Sequence, residues 1–331
     1  KAINPHGYEH CAPHSPPGGE RNAVKGGNTW MQNSINISRQ LKATRRRENI
    51  AGYLFMGPSL LFFLGFVIFP MGMCLVTSTF NYTMTDFSFI GLNNYIELFQ
   101  DAIFGKSLIN TILIVVVSVP TVCLFSLWVS SVIYKLKDIH TSFYRCVFYL
   151  PVVTGSVAVT VVWKWMFNPY YGLFNYVLKE LGLISRSINW LGTPDTALWC
   201  IILILFTTSI GQPIVLYVSA LSNVDHSLVE AAEVDGATNM QVFWRIKWPQ
   251  IMPTTLYILV ITTINSFQCF ALIQLLTSGG PNYATSTIMY YIYYEAFKLQ
   301  RYGYGSAMGV ILAVIIAVFS ALQFRLAKSD H

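Results

Sequence analysis

From about residue 50 onward the chain alternates long apolar runs with short polar stretches. A helix that crosses the hydrocarbon layer needs roughly 20 mainly apolar residues. Six stretches reach that length, near 51–77, 108–134, 145–167, 197–221, 254–276 and 305–326. Prolines fall inside several of them: Pro58, Pro70, Pro120, Pro151 and Pro213. Membrane helices tolerate such breaks where neighbouring helices re-satisfy the freed backbone groups. The pattern therefore predicts a packed bundle, an all-α integral membrane protein with about six spans. Residues 168–196 are too elaborate for a simple connector. Leu173, Tyr176, Val177 and Leu181 repeat there at helical spacing, which predicts a short amphipathic helix outside the membrane.

Composition strengthens this picture. Hydrophobic residues make up 54% of the 331 positions and charged residues 11%, against about a quarter charged in soluble domains. The net charge of +6 does not point to nucleic acid, because the basic residues gather at the ends of apolar runs, where they set orientation. Lys42, Arg45, Arg46 and Arg47 precede the first run; Lys135, Lys137 and Arg145 follow the second; Arg245 and Lys247 precede the fifth; Arg325 and Lys328 close the sixth. This places both termini in the cytoplasm, and Asp86, Glu97 and Asp101 in the opposite loops. The six cysteines, Cys11, Cys74, Cys123, Cys146, Cys200 and Cys269, form no CxxC pair and have no histidine at ligand spacing, so they read as small hydrophobic fillers rather than metal or redox groups.

Residues 1–48 differ from the rest, being rich in Pro, Gly and His with no apolar period, and are expected to form a disordered basic tail. His6, His10 and His14 belong to it. Lys25-Gly26-Gly27-Asn28 can be encoded by a purine-rich ribosome-binding run just upstream of Met31. Met31 is therefore expected to be the true start, with 1–30 a translated leader and 49–328 the membrane domain.

One polar segment carries more information than the others. Residues 223–253 read NVDHSLVEAAEVDGATNMQVFWRIKWPQIMP. Ser227 and Glu230 have capping-box spacing, as do Thr238 and Gln241. Gly236 can take the left-handed conformation that ends a first short helix, and a second is expected to stop before Pro249. Neither is long enough to be stable alone. Val229, Ala232, Val234, Met240 and Phe243 need a surface to pack on, and two remain open: the chain's own membrane domain, or a soluble partner.

The segment resembles the EAA loop of ABC-importer permeases. The matching positions are Glu230, Ala231, Ala232, Asp235, Gly236, Ala237, Phe243, Ile246, Pro249 and Pro253, with Trp248 where the family usually has leucine. GLNNY at 91–95, VVWKWMFNPYYGLFN at 161–175, INWLGTPDTAL at 188–198 and LLTSGGPNYATST at 275–287 are similar to the first permease subunit of maltose-type sugar importers. The resemblance spans roughly 50–328. It implies a type I permease bundle in the bacterial cytoplasmic membrane, paired with a second permease, two ATPase subunits and an extracytoplasmic solute-binding protein. It also implies that the 223–253 hairpin seats in the ATPase. The cargo it implies is a sugar or oligosaccharide, with glycerol phosphate or another polar solute as the alternative.

Polar residues inside the runs mark where cargo passes. Thr262, Asn265, Ser266 and Cys269 are spaced i, i+3, i+4, i+7 and share a helix face. Interhelical hydrogen bonding explains such residues equally well; in the family the corresponding face lines the path, which favours lining. Thr207, Gly211 and Gln212 occupy the matching region of the fourth run, where Gly211 and Pro213 can open the helix. There is no GxxxxGK[ST] motif, so ATP is expected on a partner and the chain needs no cofactor of its own. No acidic pair or nucleophile arrangement points to an enzyme. An ion-coupled carrier would need ionisable groups at mid-membrane, and the runs hold no relay of Asp, Glu or His.

Overall fold

The computed structural model describes residues 52–328; the tail 1–48 and the start at Met31 lie outside the described residues. The chain divides into two units between Pro70 and Met71. The division falls within α1 (Gly52–Thr77), which carries no charge. Before Pro70, its large side chains, including Phe55, Phe62 and Phe66, lie exposed, as suits a surface that meets lipid. A π-helical turn at Leu64–Ile68 precedes Pro70, which has no N–H to close an ordinary turn.

The second unit is built on α3 (Ala102–Ile133), whose 32 residues span roughly 48 Å at 1.5 Å per residue. It packs against α7 (Pro194–Ser209), α8 (Gly211–Ser222), α11 (Trp248–Phe267) and α13 (Ile288–Tyr293). A buried seam of small polar residues lets them approach: Ser107, Thr111, Ser118, Ser126 and Ser130 are all shut from solvent. Small residues bring backbones close, and hydroxyls then bond across the gap. Ser126 Oγ and Ser130 Oγ donate to the carbonyls of Ile210 and Ile214, at 3.4 and 3.1 Å. Towards the other end, Thr111 Oγ1 accepts from the Ile288 N–H at 3.0 Å, and Asn110 donates to the carbonyls of Tyr283 and Ser286.

Asp101 caps this helix. Its Oδ1 accepts from the Ile103 N–H at 2.8 Å, and its Oδ2 accepts from the hydroxyls of Tyr291 and Tyr304. Burial pushes the carboxyl pKa up, but the two phenols and the helix amides outweigh it and hold the group below its ordinary value. Tyr304 belongs to α14 (Tyr302–Lys328). Next to it, Arg301 pairs with Glu97 and with the buried Glu295.

Two expected spans are broken. The third is α4 (Asp138–Val153) followed by α5 (Ser156–Met166), bent by 93°. Thr154 and Gly155 are both extended there, and Pro151 weakens the last turn of α4. Arg145, expected at a membrane edge, sits within α4. The fourth is α7 and α8, bent by 40°, where Pro213 offers no N–H to the Ser209 carbonyl. Among the described residues there are thus four long apolar helices, or up to six spans if each bent pair counts as one. The fifth stretch also ends earlier than expected, at Phe267, and resumes as α12 (Ala271–Leu276).

A small antiparallel hairpin, β1 (Phe80–Tyr82) with β2 (Phe87–Phe89), supplements the helices. Gly303 in α14 lies directly under the Phe80 carbonyl, where a Cβ would collide. The amphipathic helix expected in 168–196 is α6 (Leu173–Glu180), and its apolar stripe does not anchor it. Leu173, Tyr176, Val177 and Leu181 face outward. The anchors are Phe174, stacked on Phe167 at 4.9 Å, and the buried Asn175. Asn175 donates to the Ile188 carbonyl and accepts from the Ile188 N–H and the Trp190 indole. One amide that satisfies three loop groups outweighs an apolar stripe in fixing which side turns inward.

The seam makes a clear prediction. Ser130→Leu should destabilise the purified protein by about 1–3 kcal/mol through overpacking against α8, whereas Val132→Leu, exposed on the same helix, should be neutral. Thermal unfolding in detergent measures both; equal midpoints would show that the seam does not hold the helices together.

Candidate functional site

α4, α7, α8 and α11 enclose a cavity of about 140 Å³, room for several waters at about 30 Å³ each. Its polar wall comes from Thr208, Ser209, Gln212, Tyr257, Thr262 and Asn265. On α11 the lining residues run Tyr257, Ile261, Asn265 at i, i+4, i+8, flanked by Ile258 and Thr262. That ridge is turned from the face defined by the 262–269 spacing, by roughly 60° at 100° per residue.

The sequence-predicted path residues therefore separate. Gln212, Thr262 and Asn265 line the cavity together. Thr207 lines a neighbouring, more apolar hollow with Pro151, Val159 and Trp163. Ser266 is buried. Cys269, beyond the end of α11, is also buried in a packed cluster, and its carbonyl accepts from Thr287 Oγ1 at 3.0 Å. Gly211 presses on α4, and a Cβ there would collide with the Phe148 carbonyl. Near Gly211 and Pro213, where the helix was expected to open, it bends by 40° with Ile210 still helical. Ser209, whose carbonyl Pro213 cannot reach with an N–H, lines the cavity at this bend. Ser209 was legible in principle, four residues before a proline; Tyr257 was hidden because aromatic residues in apolar runs carry no positional signal.

The 223–253 segment forms a two-helix hairpin. In α9 (His226–Val234) the N-cap is Asp225, not Ser227: Asp225 Oδ1 accepts from the Ser227 N–H at 2.9 Å and from its hydroxyl at 2.7 Å. A carboxylate two residues earlier is the stronger acceptor, so the Ser227–Glu230 box does not form. Asp225 consequently sits below the ordinary carboxyl pKa, chiefly through the Ser227 hydroxyl. Gly236 has φ +80°. The Gly236 N–H bonds the Glu233 carbonyl and the Ala237 N–H bonds the Ala232 carbonyl, the paired bonds of a Schellman stop. Thr238 and Gln241 form the expected reciprocal box.

After this box the expectation fails informatively. α10 (Asn239–Val242) does not stop before Pro249 but passes through a π turn, Phe243–Lys247, directly into α11. The wider turn lets the chain continue although Pro249 cannot donate to Arg245. Residues 239–267 therefore form one continuous helical rod. The hairpin packs only partly on the chain's own membrane domain. Val229 packs on the core, as does Trp248, and Val242 is buried. Leu228, Val234, Met240 and Trp244 stand exposed, Val234 at 88%. Glu230, Ala231, Asp235 and Gly236 are exposed, Pro249 too, while Ala232, Ala237 and Phe243 are half-buried. Lys247 ties the hairpin base to the end of α3, donating to the Tyr134 hydroxyl at 2.6 Å. Among the described residues, no cluster of three or more His, Cys, Asp or Glu side chains could hold a metal ion.

Comparison with known proteins agrees with this geometry. The chain is 32% identical to the probable ABC transporter permease protein YurN of Bacillus subtilis, over 86% of this chain and 98% of that one. It is 29% identical to the lactose transport system permease protein LacF of Rhizobium radiobacter, over 86% and 96%. Its backbone matches a subunit of the crystal structure of a bacterial ABC transporter involved in the import of the acidic polysaccharide alginate. The TM-score is 0.73 at 25% identity, over 88% of this chain and 99% of that one. Residues 99–329 match the model of the binding-protein-dependent transport system inner membrane component, and the chain belongs to that family of membrane transport permeases.

Proposed function

We propose that this chain forms one permease half of an ABC importer for a sugar or oligosaccharide. It pairs with a second permease, two ATPase subunits and an extracytoplasmic solute-binding protein, and the hairpin and both termini lie in the cytoplasm. The relatives that carry lactose and alginate support the cargo class, and the hydroxyl, amide and phenol groups of the cavity suit a polyol.

One observation carries the reading: the helix that carries the exposed Met240 and Trp244 is the same rod that presents Tyr257, Thr262 and Asn265 to the cavity. An ATPase that grips the apolar hairpin moves the cavity wall directly, with no flexible joint between them. ATP chemistry stays on the partner. This chain binds cargo, opens on alternate sides and transmits force. Glu230, Ala231, Ala232, Asp235, Gly236, Ala237, Phe243 and Pro249 shape the docking hairpin. The path is lined chiefly by Gln212, Thr262 and Asn265, with Thr207, Gly211, Ser266 and Cys269 setting the packing around it.

Reconstitution of the whole complex in proteoliposomes tests this. Gly236→Val meets the cost of a left-handed backbone, about 1–2 kcal/mol, and should abolish uptake by loosening ATPase co-purification while the subunit stays in the membrane. Normal ATPase retention with normal uptake would reduce the hairpin to a connector. Asn265→Trp should fill the cavity and cut uptake while the complex still assembles; unchanged uptake would remove this cavity from the path. A cysteine placed at Ser329 should react with an impermeant maleimide only from the cytoplasmic side, and labelling from outside would reverse the assigned orientation.

A further inference from the structure

A second hollow, about 430 Å³, opens between α4 and α8, lined by Arg145, Cys146, Tyr149, Gln212, Val215 and Leu216. Gln212 and Leu216 also line the first cavity, so the two spaces share a wall. Arg145 lies seven residues into α4, roughly 10 Å along it, in a segment that forms part of a candidate membrane span. A cation placed there for orientation alone would snorkel its head into water. Arg145 as a whole is half-buried, but its Nε is shut from solvent and has no hydrogen-bond partner. Among the described residues it forms no ion pair, the two present belonging to Arg301. A buried, unpaired guanidinium nitrogen is costly, and an ionisable group at membrane depth normally serves a pathway.

We propose that Arg145 is the cationic subsite of the translocation path and that the cargo, or a form of it, carries an oxyanion: a carboxylate or a phosphoryl group. This rests on the importer reading and narrows its substrate class. The guanidinium offers a planar fork of donors that matches either oxyanion in a bidentate pair. Tyr149, one helical turn further along α4 on the same face, presents an aromatic surface to the adjoining ring. Gln212 bridges the two spaces, offering its amide to whichever sugar hydroxyl passes. A saccharide held with its hydroxyls near Asn265 and Thr262 thus has a charged group to hand on to Arg145 as it leaves. The arrangement favours acidic over neutral sugars, because a neutral cargo leaves the guanidinium unpaired in the occupied path.

Cys146 supplies the readout, since it lines the same hollow and is exposed, whereas Cys123, Cys200 and Cys269 are buried. The purified transporter complex in nanodiscs is treated with N-ethylmaleimide, and the Cys146 adduct is followed by peptide mass mapping at constant ionic strength set with chloride. Inorganic phosphate, a galacturonate trimer and a neutral galactose trimer are added separately. The oxyanion bound by the site should slow alkylation about tenfold at ten times its Kd, the factor 1 + [L]/Kd of simple competition. The neutral trimer should leave the rate unchanged. Protection by phosphate alone identifies a phosphoryl cargo, and protection by the uronate alone a carboxylate; both support the site. Arg145→Gln should abolish the protection, and Arg145→Lys, which keeps the charge but loses the fork, should retain part of it. ATPase co-purification confirms that each variant assembles. No protection by either oxyanion, equal protection by the neutral trimer, or protection that survives in Arg145→Gln would overturn the inference. The readout is independent of transport. A complex that imports a sugar but shows no protection loses only the oxyanion subsite; one that shows protection but imports no sugar loses only the importer reading.

Discussion

The bundle depends on the close approach of α3 to its neighbours through small polar residues. In lipid, no hydrophobic force draws helices together, so association relies on packing and on hydrogen bonds that would otherwise go unmade. Ser126 and Ser130 donate to backbone carbonyls of the α7–α8 region at Ile210 and Ile214, close to the bend that shapes the cavity. The seam thus fixes the cavity as well as the bundle. The matching contact from the other side is Gly211 against the Phe148 carbonyl, which holds α4 close enough for Val152 to border the first cavity and for Arg145 and Tyr149 to border the second. Larger residues at these positions would separate the helices before affecting any side chain that cargo meets.

The hairpin is built on a different element. α10, the π turn and α11 are one rod, and the hairpin corner at Gly236 is the only left-handed point within the hairpin. A rigid rod with one sharp corner transmits displacement, whereas two helices joined by a loop would absorb it. The breaks in the membrane region lie elsewhere, at Thr154–Gly155 and at Ile210, outside α11. The cavity is therefore bordered by one continuous helix tied to the hairpin and by two bent helices that can hinge.

At the other end, Asp101 gathers Tyr291, Tyr304 and the first amides of α3, and Arg301 bridges Glu97 and Glu295. The lowered pKa of Asp101 means that its contribution to stability is present above the unfolded-state carboxyl value and fades as pH falls through the folded one. The network joins α2 (Asn93–Gln100), α3, α13 and α14, elements far apart in the chain.

By itself the sequence determined the solvent, the helical class, the number of apolar stretches, the Gly236 corner, the Thr238–Gln241 box and the membership signalled by the 230–253 pattern. These follow from local rules: run length, capping chemistry and backbone sterics act within a few residues. Only the tertiary structure decided which face of α11 borders the cavity, that α6 turns its apolar stripe outward, that Asp225 displaces Ser227 as cap, and that the helix runs through Pro249. The last three outcomes were each set by a competitor that periodicity does not register: the Asn175 amide and its loop partners, a stronger acceptor two residues away, and a π turn that absorbs a missing N–H. Arg145 shows the same limit. Charge counting reads it as a membrane-edge residue, and only the packing of α4 on α8 turns its guanidinium into the wall of a cavity.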